Sequence, residues 1–352
     1  MRVQRMEKNF YQFRLPELES YFQEIGEKKF RATQLFKWVY GRGIVDFQKM
    51  TDISKTLRER LPQMLSFHLP PMQRRFQSKD GTRKYLFDVG DGYSVESVLI
   101  PSKDRLTLCV SSEVGCNLAC RFCLTGTQKL KKKLDMASIL GQYVAVSKEL
   151  RLEGKKITNI VFMGMGEPLD NEENVFRAIE ILHNPLGFNL SRKKITVSTA
   201  GLVPKIPLVT KAGVRLAVSL NGTTDEIRSY LMPINKKWSL MELLAACKKH
   251  AEEARDKVTF EYVLIKGLTD SLRDADRLYD ITKDIPCKIN IIPFNEHPGA
   301  PELRRPSEEQ INAFQQRLIK KGVHVLRRRT MGDDIFAACG QLTSAQQREK
   351  IF

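Results

Sequence analysis

The amino-acid sequence predicts an α/β protein built on a parallel β-sheet, either open or closed into a barrel. After residue 106, short apolar runs alternate with longer segments of helical periodicity, a pattern typical of parallel sheets covered on both faces. In such sheets the chemistry sits at the carboxyl ends of the strands. The predicted strands are 107–111, 157–163, 194–199, 215–220, 258–265 and 288–294. The predicted helices between them are 136–150, 172–183, 240–254 and 272–284.

Different patterns flank this region. Residues 1–65 have helical periodicity at 15–25, 31–40 and 53–65, and the helical region ends at Pro70 and Pro71. Residues 72–112 alternate around two Asp-Gly turns at 80–81 and 91–92, which predicts β-hairpins. A further helix at 307–320 and a strand at 323–326 precede an irregular tail. The expected organisation is a helical domain at 1–68, a β-hairpin extension at 69–105, a barrel at 106–330 and a C-terminal segment at 331–352.

The chain has 352 residues and a cationic excess, with 58 Lys and Arg against 41 Asp and Glu. The net charge of +17 favours an anionic partner, either nucleic acid or a membrane surface. No amphipathic basic helix favours the membrane, and no apolar run approaches the ~20 residues of a membrane span. No apolar stretch follows the basic start, so a secretory signal is not expected and the protein is predicted to be cytoplasmic. Charge alone does not decide for nucleic acid, because basic proteins are common.

Three of the seven cysteines, Cys116, Cys120 and Cys123, lie close together after the first predicted barrel strand. In a reducing compartment such clustering indicates metal binding or catalysis rather than structural disulfides. A structural zinc site needs four ligands, and no fourth Cys or His lies near in the sequence. Three cysteines on an iron–sulfur cube leave one iron open for another ligand. An iron–sulfur cluster is therefore the favoured hypothesis, with zinc as the alternative.

The cysteine spacing Cys-x-x-x-Cys-x-x-Cys, with an aromatic residue before the last Cys, resembles the signature of the radical S-adenosylmethionine enzymes. The segment Met163-Gly-Met-Gly-Glu167-Pro168 ends the second predicted strand. It resembles the segment with which that family receives the methionine amino group. The resemblance implies a partial (β/α)6 barrel of the TIM type. It also implies one 4Fe–4S cluster per chain on the three cysteines, and S-adenosylmethionine as cofactor, two molecules per turnover.

Three further segments resemble the RlmN/Cfr RNA methyltransferases and favour the RlmN branch: 109–116, 232–237 and 333–342. This resemblance spans nearly the whole chain. It implies that 2-methyladenosine is formed in 23S rRNA, at the peptidyl transferase centre, and in the tRNA anticodon loop. By the same resemblance, Cys339 carries the methyl group, a 5′-deoxyadenosyl radical activates it, and Glu96 is the base that removes the proton at carbon 2. Cys109 then frees the product and leaves a disulfide bond to be reduced.

The resemblance also assigns cofactor contacts at the ends of the second, third, fourth and sixth strands. These contacts are Gly166, Glu167, Ser198, Ser219, Leu220, Asn221 and Asn295. Asn221 stands where relatives often have His, and Lys129 stands where they often have Gly. From the residues alone, Glu96 would belong to the solvated face of an alternating strand. For Ser198, a satisfied strand hydroxyl is the alternative to a cofactor contact. Leu220 is expected to line the adenine pocket, and Cys247 and Cys287 are expected in the core.

Two basic runs, 129–133 and 327–329, lie next to the segments that carry the cysteines and predict contact with RNA phosphates. A solvated surface is the usual alternative for such runs. The resemblance implies 23S rRNA and tRNA as partners, a low-potential electron donor such as flavodoxin, no membrane, and a monomer. Two alternatives stay open: an adenine C8 methyltransferase, and a non-catalytic iron–sulfur RNA-binding redox sensor. The sensor would need the cluster cysteines but neither Cys339 nor the 166–168 segment.

Overall fold

The computed structural model describes residues 7–344, and within that range it contains ten α-helices and fourteen β-strands. The helices are α1 Leu15–Glu24, α2 Lys29–Phe36, α3 Lys55–Arg60, α4 Met136–Leu152, α5 Glu172–His183, α6 Ile206–Ala212, α7 Asp225–Leu231, α8 Leu240–Ala254, α9 Leu272–Thr282 and α10 Glu308–Lys320. The strands are β1 Lys8–Asn9, β2 Leu65–Ser66, β3 Met72–Gln77, β4 Arg83–Asp88, β5 Ser94–Ser102, β6 Arg105–Cys109, β7 Glu113–Val114, β8 Lys132–Lys133, β9 Asn159–Phe162, β10 Ile195–Thr199, β11 Arg215–Ser219, β12 Val258–Leu264, β13 Cys287–Pro293 and β14 Val325–Arg327. Parts of the predicted terminal domains, 1–6 and 345–352, lie outside the described residues.

Ten of the strands form one sheet in the order β14-β13-β12-β11-β10-β9-β6-β5-β4-β3. The seven strands from β14 to β6 are parallel and are connected by helices α4 to α10. Strands β3 to β6 pair antiparallel and extend one edge of the sheet. The predicted α/β fold is confirmed, and because β14 and β3 are its two edges, the barrel is open.

Every predicted strand and helix between 106 and 294 is present, with ends displaced by at most two residues. Helices α6 and α7 were not predicted, because each has seven residues and shows too little periodicity to be recognised. Strand β14 adds a seventh parallel strand to the six predicted βα units. Each parallel strand ends at the same edge of the sheet, which is where the predicted site residues lie.

The N-terminal helices differ from the prediction in length. Helix α2 ends at Phe36 and continues as one π-helical turn, Lys37–Gly41. The helix predicted at 53–65 is reduced to α3 followed by a 3-10 turn, Leu61–Gln63, whose second residue is Pro62. Proline has no N–H to donate, so it does not continue an α-helix past its first turn. The chain then enters β2, which pairs with β1.

The N-terminal helices pack against the barrel on the side of α4 and α5. The ring of Tyr40 lies 5.2 Å from that of Phe188, which in turn lies 4.7 Å from Tyr143 of α4. Arg177 of α5 donates to both carboxylate oxygens of Glu17, at 2.6 and 2.9 Å. This contact leaves the carboxyl ends of the parallel strands open to other elements.

The described part of the C-terminal segment, taken together with Thr330 as residues 330–344, crosses those carboxyl ends. On one side it is tied to the antiparallel extension, where Lys84 Nζ donates to the Phe336 carbonyl at 3.0 Å and Asp80 accepts the Gly332 N–H at 2.8 Å. On the other side, the Leu124 N–H donates to the Gly340 carbonyl at 2.7 Å. The segment therefore bridges the extension and the loop that carries the three clustered cysteines.

Candidate active site

The cluster loop, residues 115–128, begins after β7 and holds Cys116, Cys120 and Cys123. A Cβ on Gly126 would lie 2.6 Å from the Cys120 carbonyl oxygen, so the loop folds back on itself more closely than any other residue would permit. The Cys116 N–H donates to the Gln128 carbonyl at 2.9 Å and closes the loop at its base. Burial raises the pKa of all three thiols. A cationic centre that binds thiolates would offset this cost.

The three cysteines line one cavity at the carboxyl ends of the parallel strands, which we call the upper cavity. Six of the seven predicted cofactor contacts line it as well: Gly166, Glu167, Ser198, Ser219, Asn221 and Asn295. The seventh, Leu220, is fully buried in the hydrophobic core and is not among the lining residues. Its carbonyl oxygen accepts from Arg228 Nε at 3.0 Å.

Gly166 and Glu167 form a turn at the end of β9. Gly166 has φ +93°, and a Cβ there would lie 2.5 Å from Glu113 Cβ, so glycine is required on both counts. Glu167 is buried, and its carboxylate accepts the N–H groups of Ala200 at 2.8 Å and Leu169 at 3.2 Å. Burial raises the pKa of Glu167 to about 7. A cationic group in the upper cavity would favour the ionised carboxylate.

The remaining strand-end contacts are held by local hydrogen bonds. Ser198 donates to the Phe162 carbonyl at 2.6 Å, so its hydroxyl is satisfied by the sheet and keeps its lone pairs for other donors. Asn221 adopts a left-handed backbone conformation, φ +51°, and accepts the Val263 N–H at 2.9 Å. Asn295 donates to the Cys339 carbonyl at 3.0 Å, which ties the end of β13 to the C-terminal segment.

Cys109 and Cys339 are 230 positions apart, and both line a small cavity beside Arg328. Cys109 is buried on β6, whereas Cys339 is exposed. The pKa of the Cys109 thiol is raised to about 12, mainly by burial and also by the nearby Cys339, while Arg328 acts in the opposite direction. Arg328 Nη1 lies 3.6 Å from Glu261 Oε2. Gly340 has φ +89°, and a Cβ there would lie 3.0 Å from the Phe122 carbonyl, so Cys339 is held next to the cluster loop.

Glu96 is buried on β5, and the expectation of a solvated position from strand alternation alone was wrong. Its Oε1 forms an ion pair with Lys84 Nζ at 3.0 Å, and both side chains are almost fully buried. Its Oε2 accepts the Thr343 N–H at 3.0 Å. The other face of β5 packs on α4 through Ser97 and Gln142. Both faces of the strand are covered, because the C-terminal segment lies on the face that carries Glu96.

The two basic runs are partly neutralised within the protein. Lys132 Nζ lies 2.7 Å from Asp91 and Lys133 Nζ lies 3.2 Å from Asp170, whereas the Lys131 side chain is exposed. Lys129 is also exposed, so its departure from the family pattern does not enter the upper cavity. In the second run, Arg327 pairs with Glu308 at 2.6 Å and the side chain of Arg329 is exposed.

Comparison with known proteins identifies the family. The family described as "Ribosomal RNA large subunit methyltransferase N-terminal domain" matches residues 8–66, and the radical SAM superfamily matches residues 110–278. A dual-specificity RNA methyltransferase RlmN of Bdellovibrio bacteriovorus is 58% identical over 340 residues, covering 97% of this chain and 85% of the relative. The chain belongs to the RlmN family.

Other members support this assignment across the whole chain. The RlmN of Geotalea uraniireducens is 49% identical over 331 residues, covering 94% of this chain and 95% of that protein. A crystal structure of a radical SAM methyltransferase from Sphaerobacter thermophilus superposes with a TM-score of 0.90 at 42% identity. It covers 95% of this chain and 99% of that one. The partial barrel of the RlmN family is therefore the fold of this chain.

Membership of the radical SAM superfamily implies a 4Fe–4S cluster and S-adenosylmethionine. The residues present fit these groups, because three thiol donors, strand-end polar groups and the Glu167 carboxylate line the same upper cavity. In this structure the three thiols line the cavity without being drawn together into a formed metal site, and no other group of three His, Cys, Asp or Glu side chains within residues 7–344 is placed to hold a metal ion. All seven cysteines, which lie in that range, are free thiols. No helix in the described part of this RlmN-family chain is long and apolar enough to cross a membrane.

Sequence reasoning missed several residues that shape the site. Arg228 is buried and donates to the carbonyls of Ala200, Ser219 and Leu220, while Asn235 accepts from it at 2.8 Å. The 232–237 segment of the RlmN pattern thus positions the ends of β10 and β11. Nothing in the local sequence distinguishes the buried Arg228 from the many Lys and Arg residues on the surface.

Glu113 and Glu261 are two further buried carboxylates that were missed. Glu113 accepts the Glu167 N–H at 2.8 Å, and burial raises its pKa to about 8. Glu261 lies within the otherwise apolar strand β12 and is only 6% exposed. A charged residue inside an apolar strand was the one signal that could have identified Glu261.

Proposed function

We propose that this protein forms 2-methyladenosine in 23S rRNA, at the peptidyl transferase centre, and in the anticodon loop of tRNA. The relatives named as dual-specificity RNA methyltransferases support this substrate range, and the RlmN-type segments support carbon 2 over carbon 8. The observation that carries the proposal is the meeting of Cys109 and Cys339 beside the cluster loop. A non-catalytic iron–sulfur sensor would need the three clustered cysteines but not Cys339.

The cofactors occupy the upper cavity in this proposal. When bound there, the cluster on Cys116, Cys120 and Cys123 and S-adenosylmethionine would supply methyl groups and one-electron chemistry. Glu167 would receive the amino group of the methionine part, and Asn295 would hold the Cys339 carbonyl so that the thiol faces the donor. The strand-end residues Ser198, Ser219 and Asn221 would bind the rest of the cofactor.

The two thiols have successive roles. Cys339 loses its proton, accepts a methyl group on sulfur and holds it as a thioether. Joining the methyl carbon to carbon 2 of adenine removes one hydrogen atom from the methyl group, the proton from carbon 2 and one electron, of which the bound cofactors would take the hydrogen atom and the electron. The Cys109 thiolate then attacks the Cys339 sulfur. The S–C bond breaks, an S–S bond forms, and the released carbon takes up a proton to become the methyl group. A thiol reductant then returns the disulfide to two thiols.

Glu96 is the proposed base for the proton at carbon 2. In this structure its two oxygens are held by Lys84 and by the Thr343 N–H, and it lines neither the upper cavity nor the small cavity at Cys109. For the Glu96 carboxylate to reach carbon 2 of the target adenine, the C-terminal segment has to release the hydrogen bond between the Thr343 N–H and Glu96. Since the same segment carries Cys339, binding of RNA would move the thiol and expose the carboxylate together.

The RNA-binding surface is assigned to three regions. These are the helical domain at 1–68, the run around Lys131 and the run at 327–329. Exposed cations in these regions provide phosphate contacts, and the protein is proposed to act as a cytoplasmic monomer that receives electrons from a low-potential donor such as flavodoxin.

Mass spectrometry of modified nucleosides tests the function. We expect 2-methyladenosine in 23S rRNA and tRNA to disappear when the gene is deleted and to return with the wild-type gene but not with Cys339→Ala. Appearance of 8-methyladenosine would assign the alternative carbon. Unchanged adenosine modification in both RNAs would contradict the proposed function.

A further inference from the structure

A second and larger cavity fills the interior of the open barrel below the upper cavity, and we call it the lower cavity. It extends from Cys339 to the amino ends of the strands, where Arg105, Arg215 and Lys288 line it. Six residues line both cavities and mark the junction between them: Met163, Glu261, Ile292, Asn295, Arg328 and Cys339. Because the thiol that carries the methyl group is at this junction, the base that receives it has to be bound there too.

Two buried oxygens near the junction accept no hydrogen bond from the described residues, although one of them forms an ion pair. Glu261 on β12 is opposite Asn290 on β13, and Asn290 Nδ2 donates to Glu261 Oε1 at 2.9 Å. The other two oxygens, Glu261 Oε2 and Asn290 Oδ1, are buried without a hydrogen bond. Glu261 Oε2 forms an ion pair with Arg328 Nη1 at 3.6 Å, beyond hydrogen-bond distance, and Asn290 Oδ1 accepts nothing from the described residues. A buried acceptor without a donor costs about 1–3 kcal/mol, so such a pair is expected to receive a ligand.

The chemistry of these groups selects the ligand. A carboxylate oxygen and an amide oxygen accept hydrogen bonds and do not donate them, so they fit a group with two N–H donors and repel a carbonyl oxygen. Met163 and Ile292 add apolar surface at the same junction, which suits the faces of a planar base. The exocyclic amino group of adenine offers two N–H donors in the plane of the ring.

We propose that Glu261 and Asn290 bind the 6-amino group of the target adenine, which enters through the lower cavity and reaches Cys339 at the junction. This specificity rests on the proposed function, since it concerns the base that Cys339 methylates. The cofactors leave the lower cavity as the route for the nucleotide, because the cluster cysteines and strand-end contacts line the upper one. At the far end, Arg215 Nε is buried without a hydrogen bond, and its nearest carboxylate, Asp256, is 3.8 Å away. Arg215 and Lys288 are thus placed for the phosphates of the same strand.

The test compares RNA substrates that differ only at the target base. Adenine, purine and hypoxanthine all carry hydrogen at carbon 2, but purine lacks the amino group and hypoxanthine has a carbonyl in its place. The wild-type protein with reconstituted cluster should use adenine about 10- to 100-fold more efficiently than purine, as expected for a hydrogen bond to a charged group, and hypoxanthine less than purine. Equal use of adenine and purine would overturn the proposal.

The variant Glu261→Gln separates recognition of the 6-amino group from the intrinsic reactivity of carbon 2. Each base has the same intrinsic reactivity with the wild-type and the variant protein, so a change in preference between them reports recognition alone. We expect the adenine-to-hypoxanthine preference to fall at least tenfold, since a glutamine amide can donate to a carbonyl. Methylation of Cys339, measured by mass spectrometry of the protein before RNA is added, is followed separately because Glu261 also lines the upper cavity. Glu252→Gln, which removes an exposed carboxylate on α8, is the matched control and should keep the wild-type preference.

Two results would contradict the assignment of Glu261. If Glu261→Gln retains the full preference for adenine, the residue does not read the amino group. If it fails to methylate Cys339, Glu261 serves the cofactor instead. Failure of the wild-type protein to methylate the adenine substrate at all would contradict the proposed function, and this outcome is distinct from both. If Glu261→Gln does not fold, the wild-type comparison of adenine with purine still decides the proposal.

Discussion

The two groups of cysteines in this protein are built in opposite ways. Cys116, Cys120 and Cys123 lie on a single loop, whose path depends on contacts within it, such as the close approach of Gly126 to Cys120. Cys109 and Cys339 come from a central strand and from the far end of the chain. They meet only because the C-terminal segment is tied to several elements.

The difference is consistent with the roles proposed for the two groups. Three ligands of one cluster have to stay together, and a short loop keeps them together at a small cost in loop-closure entropy. Two thiols that carry and then release a group have to approach in turn. Placing one on a rigid strand and the other on a segment held by hydrogen bonds at Lys84, Asn295 and Leu124 permits such movement.

The largest expected effects separate the two thiols of the pair. Cys339→Ala should lose both methylcysteine formation and attachment to RNA, because no sulfur remains to receive the methyl group. Cys109→Ala should still methylate Cys339 and add to adenine, and then stall as a thioether between protein and RNA. Denaturing gels with nuclease treatment and protein mass spectrometry detect these species. Cys247→Ala, which changes an equally buried thiol on α8, is the control and should keep wild-type activity.

An adduct in Cys339→Ala would reverse the proposed roles of the two thiols. Absence of an adduct in Cys109→Ala with methylated Cys339 would refute them.

Loss of one cluster cysteine should abolish all steps at once. Anaerobic reconstitution of the wild-type chain is expected to give about four irons, as in a 4Fe–4S cube. Cys120→Ser should lose most of this iron and also the methylation of Cys339. Iron content and the visible absorption of the cluster are the measurements, with Cys287→Ser as the control. Stoichiometric zinc in place of iron in the wild-type chain would overturn the assignment of these ligands.

Glu113→Gln tests whether the buried Glu113, which accepts the Glu167 N–H, is protonated in the folded protein. The raised pKa of Glu113, about 8, means that the folded protein keeps this proton up to a higher pH than the unfolded chain, whose carboxyl has a pKa of 4.5. The unfolded state therefore binds fewer protons between these values, and wild-type stability falls as pH rises from about 4.5 to 8. The difference in free energy of unfolding, variant minus wild type, should grow with pH by at most about 1.4 kcal/mol per unit.

Thermal unfolding at pH 5, 7 and 9 measures this trend. Glu252→Gln should show no pH-dependent gain in the free energy of unfolding relative to wild type, because that carboxylate is exposed. A constant difference between Glu113→Gln and wild type at all three pH values would show that Glu113 titrates normally in the folded protein.

The smallest effect is expected from the basic run beside the cluster loop. Neutralising Lys131, Lys132 and Lys133 together should weaken RNA binding and reduce its log–log salt slope. Each lost single-strand phosphate contact reduces the slope by ~0.7. Two of the three lysines are already paired with Asp91 and Asp170, so the expected total is about 0.7 to 1.4 rather than three full contacts. Lys248→Gln with Lys249→Gln is the control, and an unchanged slope in the triple variant would mark the run as solvated surface.

Much of the barrel was predictable because its signals are local. Strands such as β11 and β12 and helices such as α5 and α8 were predicted within two residues of their ends, since apolar runs and helical periodicity reflect burial along one segment. Helices α6 and α7 were missed because seven residues show too little periodicity. The cluster loop was predicted from spacing, since its three ligands have to reach one group.

The surroundings of individual side chains could not be predicted from local patterns when they depend on other elements. Glu96 belongs to a strand whose alternation predicts one solvated face, yet β5 is covered by α4 on one face and by the C-terminal segment on the other. Leu220 was expected in the cofactor pocket and lies in the core, where Arg228 holds its carbonyl. The position of Glu96 depends on Thr343, which is far away in the sequence, and that of Leu220 depends on packing in the core.

The sequence by itself determined the α/β architecture, the clustering of Cys116, Cys120 and Cys123 on one loop and the turn at Gly166, because periodicity, residue spacing and glycine conformations act within a few residues. The resemblance implied that Cys109 acts on Cys339, but only the tertiary structure decided which contacts bring the two together, that Lys84 pairs with Glu96, and that Glu261 and Asn290 face the junction of the two cavities. These contacts depend on strand order and register and on where the C-terminal segment crosses the sheet. Those features result from packing of the whole chain and leave no local periodicity in the sequence.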